Sequence, residues 1–192
     1  MLRAMPADAA SLLAQRLKAE REARGWSLAE LAERSGVSKA MISKIERDEV
    51  SPTAALLGRL SGAFGLSLSQ LLARVEHGAG QLLPAAAQPL WSDPETGFTR
   101  RAVTPAGGPP TPLELVEGVL PPGRSVDYPA AAFAFIQDQQ ILLLEGRLDF
   151  TQGASRHEMH PGDCLRLGPP APCRFHNPGT AACRYLVALL RR

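Results

Sequence analysis

The chain has 192 residues, of which 45% are hydrophobic and 21% are charged, and its net charge at neutral pH is +2. This composition argues against a disordered chain, and no apolar run approaches the roughly 20 residues that a transmembrane helix needs. Because residues 1–10 lack the apolar core of a signal peptide and the three cysteines do not form a disulfide framework, we expect a cytoplasmic protein with no membrane partner. The length fits one domain or two small ones, and the charge alone identifies no nucleic-acid partner.

Apolar residues recur at helical spacing from residue 11 to residue 73, which predicts a bundle of five short helices. The first helix ends at Gly25. Ser27 then caps the second helix, with Glu30 at the position that completes a capping box. The other boundaries are predicted from single residues: Gly36 ends the second helix, Ser38 begins the third, Pro52 and Thr53 begin the fourth, Gly65 ends it, and Ser67 begins the fifth.

The pattern changes after the helices. Residues 77–96 are rich in Gly, Ala and Pro and have no clear period, which predicts a linker. Beyond them, short apolar or alternating runs alternate with turn signals, a pattern typical of a β-sandwich or barrel. The predicted strands cover residues 98–103, 113–120, 131–136, 141–144, 147–151, 164–167 and 183–190.

Residues 27–46 have the layout of a helix-turn-helix. Gly36 permits the tight turn, Val37 fills it, and Ile42 and Ile45 anchor the second of the two helices to the core. On these features, residues 12–73 resemble the Cro/repressor-type (XRE-family) helix-turn-helix domain.

The third helix carries short polar side chains and two lysines on its outward face. Lysine can donate hydrogen bonds to O6 and N7 of guanine, a serine hydroxyl can form a hydrogen bond with any base, and an alanine methyl group can contact the methyl group of thymine. Backbone N–H groups at the start of the second helix can bind a phosphate, with Arg16 and Arg47 as further phosphate contacts. The alternative is an ordinary solvated helix face. The predicted DNA-binding residues are Ser27, Leu28, Ser38, Lys39, Ala40, Ser43, Lys44 and Arg47.

The XRE resemblance also implies a structural ion pair between Arg21 on the first helix and Glu46 at the end of the third. Helices of this type usually read half-sites about 34–36 Å apart as symmetric dimers. We therefore expect a homodimer on a palindromic operator in double-stranded DNA, associated with the bacterial nucleoid when bound.

The C-terminal part resembles a cupin, a small double-stranded β-barrel. The resemblance rests on the turns at Glu145-Gly146 and Pro161-Gly162-Asp163 and on the ending Asn177-Pro178-Gly179. The predicted fold class is multidomain α + β. Its parts are a flexible N-terminus (1–10), a five-helix DNA-binding domain (11–76), a linker (77–96) and a cupin-like sensor or dimerisation barrel (97–192).

Metal-binding cupins supply two His, one Glu and a third His, and the matching positions here are Phe133, Phe135, Gln139 and Cys173. A phenyl ring has no lone pair for a metal, so these positions cannot form a three- or four-ligand site. The remaining histidines do not replace the missing ligands. We therefore expect no metal, no cofactor and no catalytic residues, and thus a protein that is not an enzyme.

Four interpretations of the barrel stay open. The four substituted positions could line a mainly apolar pocket for a small-molecule effector, or the two phenylalanines could simply fill the core of a dimerisation module. A regulator could instead sense redox state through Cys173, which follows a Pro-rich loop and lies beside Arg174. The least favoured alternative is a metal-dependent cupin enzyme fused to the DNA-binding domain.

Overall fold

The computed structural model describes residues 7–72, 82–105 and 111–191. The N-terminal third folds into five helices, and none of the described helices is long and apolar enough to cross a membrane. The first helix begins at residue 7, inside the N-terminus predicted to be flexible. Residues 1–6 and 73–81 lie outside the described ranges, and residues 77–81 are the part of the predicted linker among them. The helices are α1 (Ala7–Ala23), α2 (Leu28–Ser35), α3 (Lys39–Glu46), α4 (Ala54–Phe64) and α5 (Leu68–Leu72).

Local hydrogen bonds explain where α2 and α3 begin and end. Ser27 and Glu30 form the predicted capping box, and the Ser38 hydroxyl accepts from the N–H of Met41 at the start of α3. Gly36 ends α2 with a φ of 65°, a left-handed conformation that glycine adopts without steric cost. Apolar side chains that are almost fully buried then fix the packing of the bundle: Leu17, Leu31, Ile42, Ile45, Leu57 and Leu60.

The described residues of the C-terminal part form ten antiparallel strands in two sheets. One sheet has the strand order β1-β2-β3-β10-β5-β8 and the other has the order β4-β9-β6-β7. This architecture confirms the predicted multidomain α + β fold with a cupin-type barrel. The strands are β1 (Leu90–Ser92), β2 (Thr99–Ala102), β3 (Leu113–Leu120), β4 (Ser125–Tyr128), β5 (Ile136–Glu145), β6 (Leu148–Gln152), β7 (Ser155–Met159), β8 (Cys164–Arg166), β9 (Cys173–His176) and β10 (Cys183–Arg191).

The barrel differs from the sequence-based expectation in three respects. Three of the observed strands, β4, β7 and β9, lie outside the predicted strand ranges. The strand predicted at residues 131–136 is wrong, because Ala130–Phe133 form a 3-10 turn and β5 begins only at Ile136. Leu90–Ser92, which composition assigned to the linker, pair with β2 and belong to the six-stranded sheet. Pairing with a distant strand gives these residues a structure that their local sequence does not encode.

The helical domain packs directly on the barrel. The Asp93 carboxylate, which is buried in the turn after β1, accepts a 2.6 Å hydrogen bond from the N–H of Ala54 at the start of α4. Farther along α4, a Cβ on Gly62 would lie 2.7 Å from the carbonyl oxygen of Ala131. Glycine is therefore required where this helix crosses the 3-10 turn of the barrel, and α4 connects the two domains physically.

Candidate DNA interface and barrel cavity

The outward face of α3 is exposed as predicted. Lys39, Ala40 and Lys44 are exposed, whereas Ile42 and Ile45 on the opposite face are each 2% exposed. Within the described ranges, neither lysine has an ion-pair partner closer than 4 Å. Two free ammonium groups therefore flank a small methyl group on a helix whose other face is fixed in the core.

Two of the predicted phosphate contacts are already engaged by the protein. Arg47 bonds the Ser43 hydroxyl and donates to Glu49 at 2.6 Å, and all three side chains lie on the surface at the end of α3. Arg16 is paired with Glu20 at 2.6 Å. Each arginine must exchange its carboxylate partner for a phosphate to contact DNA. The Arg47–Glu49 pair is exposed and contributes little stability, so its exchange costs little free energy, whereas the Arg16–Glu20 pair is half-buried.

The start of α2 corrects one sequence-based expectation. The backbone N–H of Ser27 is not free, because it donates to the Glu30 carboxylate at 2.7 Å. This hydrogen bond lowers the pKa of Glu30 below its ordinary value. The Glu30 carboxylate thus occupies part of the position predicted for a phosphate, and Leu28 at the first helical position is half-buried.

Arg21 and Glu46 join α1 to the end of α3. The guanidinium donates to both carboxylate oxygens, at 2.7 and 2.8 Å, and its third nitrogen donates to the carbonyl of Trp26 at 2.8 Å. The side chains are 12% and 7% exposed. This forked pair fixes the angle at which α3 leaves the bundle, and the same hydrogen bonds raise the pKa of Arg21.

A cavity of about 70 Å³ lies between the open end of the barrel and the helical domain. Phe133, Phe135 and Gln139 line it, as predicted for the substituted cupin positions, but Cys173 is buried in β9 and is not part of the lining. Sequence reasoning missed the remaining polar side chains of the wall, which come from strands and helices far apart in the chain: Ser61, Ser67, Arg100, Tyr128 and Tyr185.

Comparison with known proteins assigns the helical domain. The helix-turn-helix family model matches residues 17–71, which include all of α2, α3 and α4. Residues 17–71 form a helix-turn-helix domain of the XRE type. The predicted recognition is thereby confirmed, and the XRE domain is a DNA-binding domain.

Two curated relatives and one solved structure extend the comparison. The HTH-type transcriptional regulator SutR of Escherichia coli is 40% identical over 86 residues, which are 45% of this chain and 43% of SutR. The chain therefore spans less than half the length of that relative. The HTH-type transcriptional regulator PuuR of Escherichia coli is 26% identical over 175 residues, 91% of this chain and 92% of PuuR. An HTH_3 family transcriptional regulator from Vibrio cholerae superimposes with a TM-score of 0.78 at 28% identity, covering 97% of this chain and 99% of its own.

The barrel attached to the XRE domain does not offer a metal site at the cupin positions. Phe133 and Phe135 carry no lone pair, and Cys173 lies outside the cavity. Across the described ranges, no three His, Cys, Asp or Glu side chains lie close enough together to hold a metal ion. His157 and His160 are exposed on and after β7, His176 bonds the Ser125 hydroxyl at 2.9 Å, and His77 lies outside the described residues.

The cysteines do not have the environment of a reactive thiolate. Burial raises the pKa of the Cys173 thiol to about 12, and the charge of Asp127 acts in the same direction. Arg174 does not counteract this shift, since its guanidinium points outward and binds Asp127 at 2.7 and 2.9 Å. Burial also raises the pKa of Cys183 to about 12. Both thiols therefore stay protonated at neutral pH, which argues against Cys173 as a reactive thiolate.

Proposed function

We propose that this chain is a sequence-specific transcriptional regulator that binds operator DNA through α3 as a homodimer and whose barrel binds a small-molecule effector. The observation that carries the proposal is the face of α3, where unpaired Lys39 and Lys44 flank Ala40 on a rigidly anchored helix. A helix with this surface fits the major groove, where lysine and alanine contact base edges. The names of SutR and PuuR as transcriptional regulators support this assignment.

The effector part of the proposal rests on the barrel. Its cavity combines aromatic walls with a few polar groups, which is the composition of a small-molecule site. A purely filled dimerisation module would not bury polar side chains around open space, because an unsatisfied buried polar group destabilises the fold. The proposal includes no catalytic residue and no cofactor, since the substituted cupin positions supply neither a metal ligand nor a base.

The DNA-binding proposal is tested by selecting bound sequences from random duplex DNA at a fixed, stated salt concentration. We expect enrichment of a palindromic site whose half-sites lie about one helical turn, 34–36 Å, apart. The double variant Lys39→Ala/Lys44→Ala should lose this enrichment. The matched control is Lys18→Ala, because Lys18 is an exposed lysine on α1, away from the α3 face.

Weak binding without any sequence preference would contradict the proposal. Equal enrichment by the wild type and the double variant would show that α3 does not contact the bases. Analytical ultracentrifugation on the selected site tests the oligomeric state separately, with two chains per palindrome as the expected result.

A further inference from the structure

The cavity is enclosed by both domains. Ser61 at the end of α4, and Ser67 and Leu68 at the start of α5, form its helical side, while strands of the barrel form the rest. A molecule in this cavity would therefore touch the domain that carries α3. Any change in how the cavity is filled acts directly on the junction between the XRE domain and the barrel.

Arg100 is a buried cation in the cavity wall. It lies on β2, is 7% exposed, and donates one hydrogen bond, 2.8 Å long, to the hydroxyl of Ser69 on α5. Among the residues that the structure describes, it has no carboxylate within 4 Å. Burial lowers the pKa of Arg100 below its ordinary value, although the guanidinium stays charged at neutral pH. A buried charge without a counterion is costly, so its retention points to a partner that binds from the cavity.

The nearby carboxylates are already committed to other groups. Glu114 is paired with Arg191 at 2.8 Å and accepts from the Ser67 hydroxyl at 2.8 Å. Its charge also favours the charged form of Arg100, but from beyond ion-pair distance. Asp93 accepts three backbone N–H groups, from Ala54, Glu95 and Thr96. Neither carboxylate pairs with Arg100, so its guanidinium lies beside the cavity without an ion-pair partner among the described residues, while the buried Oε2 of Glu114 also makes no hydrogen bond there.

Two more polar side chains face the cavity without a partner. Gln139 is 7% exposed and Tyr185 is 2% exposed, and neither the amide nor the hydroxyl makes a hydrogen bond to another described residue. Ser61, Ser67 and Tyr128 add further polar groups to the wall, and most of its other side chains, including Phe133 and Phe135, are apolar. A larger cleft of about 340 Å³ shares Phe133, Ile136 and Gln139 with the cavity, so a ligand can extend toward it.

From this arrangement we propose that the effector is a small organic monoanion, a carboxylate with an apolar body, whose carboxylate binds Arg100 and accepts a hydrogen bond from Tyr185 or Gln139. One guanidinium without an ion-pair partner matches a single carboxylate rather than a phosphate dianion, and the aromatic walls match an aliphatic or aromatic body. A forked guanidinium–carboxylate pair is the geometry that arginine favours. This inference rests on the proposed function, because the effector is one that regulates DNA binding.

Through Arg100, binding of the effector can change the affinity of the protein for DNA. Arg100 is hydrogen-bonded to Ser69 on α5, and the cavity touches Ser61 on α4. A carboxylate competes with Ser69 for the guanidinium, so its binding shifts α5 and α4 relative to the barrel. In a dimer, that shift changes the distance between the two α3 helices and therefore their fit to the half-sites.

The test uses isothermal titration calorimetry on the full chain with straight-chain carboxylates from propionate to hexanoate, benzoate, the matched primary amides and inorganic phosphate. We expect saturable binding of at least one carboxylate, no binding of its amide, and no competition by phosphate. Fluorescence anisotropy with the selected operator should show that the same carboxylate changes DNA affinity about 5-fold or more. Binding by the neutral amide, or by phosphate in place of every carboxylate, would overturn the proposal.

Arg100→Met removes the charge while keeping an apolar side chain, and we expect carboxylate affinity to fall by at least about 30-fold. The matched control is Arg101→Met, since Arg101 is the next residue on β2, half-exposed, and paired with Glu117 at 3.6 Å on the outer side. Phe133→Trp, which fills the cavity without touching Arg100, should also abolish carboxylate binding. Circular dichroism confirms that each variant is folded.

These outcomes distinguish a wrong effector class from a wrong proposed function. If the wild type binds its operator but no carboxylate, the effector class is wrong and the regulator stands. If Arg100→Met binds carboxylate as well as the wild type does, Arg100 is not the recognition group. If the wild type selects no DNA sequence, the proposed function itself fails, whatever binds in the cavity.

Discussion

Arg21, which is mostly buried, and Arg100, which is buried, have opposite environments. Arg21 in the helical domain uses all three nitrogens, two on Glu46 and one on a backbone carbonyl. Arg100 in the barrel makes a single hydrogen bond, to Ser69, and faces a cavity. A fully bonded buried charge holds structure together, whereas an incompletely bonded one lowers stability and is available to a ligand. Removing each charge should therefore change stability in opposite directions.

The largest effect is expected from Glu46→Ala. The substitution removes the carboxylate that accepts two hydrogen bonds from the mostly buried guanidinium of Arg21 and leaves only the exposed Glu22, at 3.5 Å, as a counterion, which costs about 3 kcal/mol of unfolding free energy. Urea unfolding followed by far-UV circular dichroism measures the loss. Glu49→Ala is the matched control, because Glu49 pairs with Arg47 at the surface and should contribute less than about 1 kcal/mol. Similar losses for the two variants would show that the Arg21–Glu46 pair has no special role.

Gly62→Ala tests the junction between the two domains. The added Cβ would lie 2.7 Å from the carbonyl oxygen of Ala131, so α4 must move away from the barrel. We expect a loss of about 2 kcal/mol, after allowing for the better helix propensity of alanine. Arg59→Ala, on the exposed side of the same helix, should change stability by less than about 0.5 kcal/mol. An unchanged melting temperature for Gly62→Ala would mean that the domains do not pack as the structure has them.

Lys39→Ala and Lys44→Ala sharpen the contrast between exposed and buried cations. Both lysines are exposed, so neither change should alter stability by more than about 0.5 kcal/mol. A lysine that contacts a base should cost about 10-fold in operator affinity and relax specificity at one position. A lysine that contacts a phosphate should instead reduce the salt dependence of binding by about one ion. Fluorescence anisotropy at several salt concentrations distinguishes the two roles.

Arg100→Met should stabilise the free protein. The change removes an incompletely bonded buried charge and adds an apolar side chain next to aromatic walls, so we expect a gain of about 1 kcal/mol. Urea unfolding without added carboxylate measures it, with Arg101→Met as the control. A large loss of stability would show that Arg100 is a structural residue like Arg21, and the comparison between the two arginines would fail.

The smallest effects concern the buried thiols and appear only at alkaline pH. The pKa of Cys173 is raised from 9.0 to about 12 by burial, so the unfolded chain ionises first as the pH rises. The stability attributable to this thiol is present below pH 9 and is lost between pH 9 and about 12. Cys173→Ala should flatten the decline in that window, whereas Cys164→Ala, at an exposed cysteine, should not. Thiol labelling of the native protein should modify Cys164 and spare Cys173.

The helical domain could be predicted closely because its signals are local. Ser27, Glu30, Gly36 and Ser38 act within three or four residues of their partners, so their spacing alone predicts where α2 and α3 begin and end. One prediction at the start of α2, the phosphate contact at the N–H of Ser27, did not take these local hydrogen bonds into account. The capping box was predicted correctly, but its consequence, that Glu30 occupies the N–H of Ser27, was not carried over to the phosphate contact.

The barrel was predicted less completely, because its strands depend on partners far away in the chain. Leu90–Ser92 resemble a linker in composition and become a strand only by pairing with β2. Phe133 was expected on a strand and lies in a 3-10 turn that packs against α4. Its position at the cavity was nevertheless predicted, since the cupin resemblance identified which residues replace the metal ligands.

The sequence by itself determined the helix-turn-helix, its outward lysines, the two-domain division and the loss of the cupin metal ligands, because each depends on residue type and short-range spacing. Only the tertiary structure decided which side chains surround the cavity. Arg100 and Arg101 are neighbours on one short strand, and alternation along the strand sends them to opposite faces. Arg101 becomes a surface charge paired with Glu117, and Arg100 becomes a buried charge facing α5. That difference depends on the register of β2 and on the packing of α5, neither of which a local sequence pattern encodes.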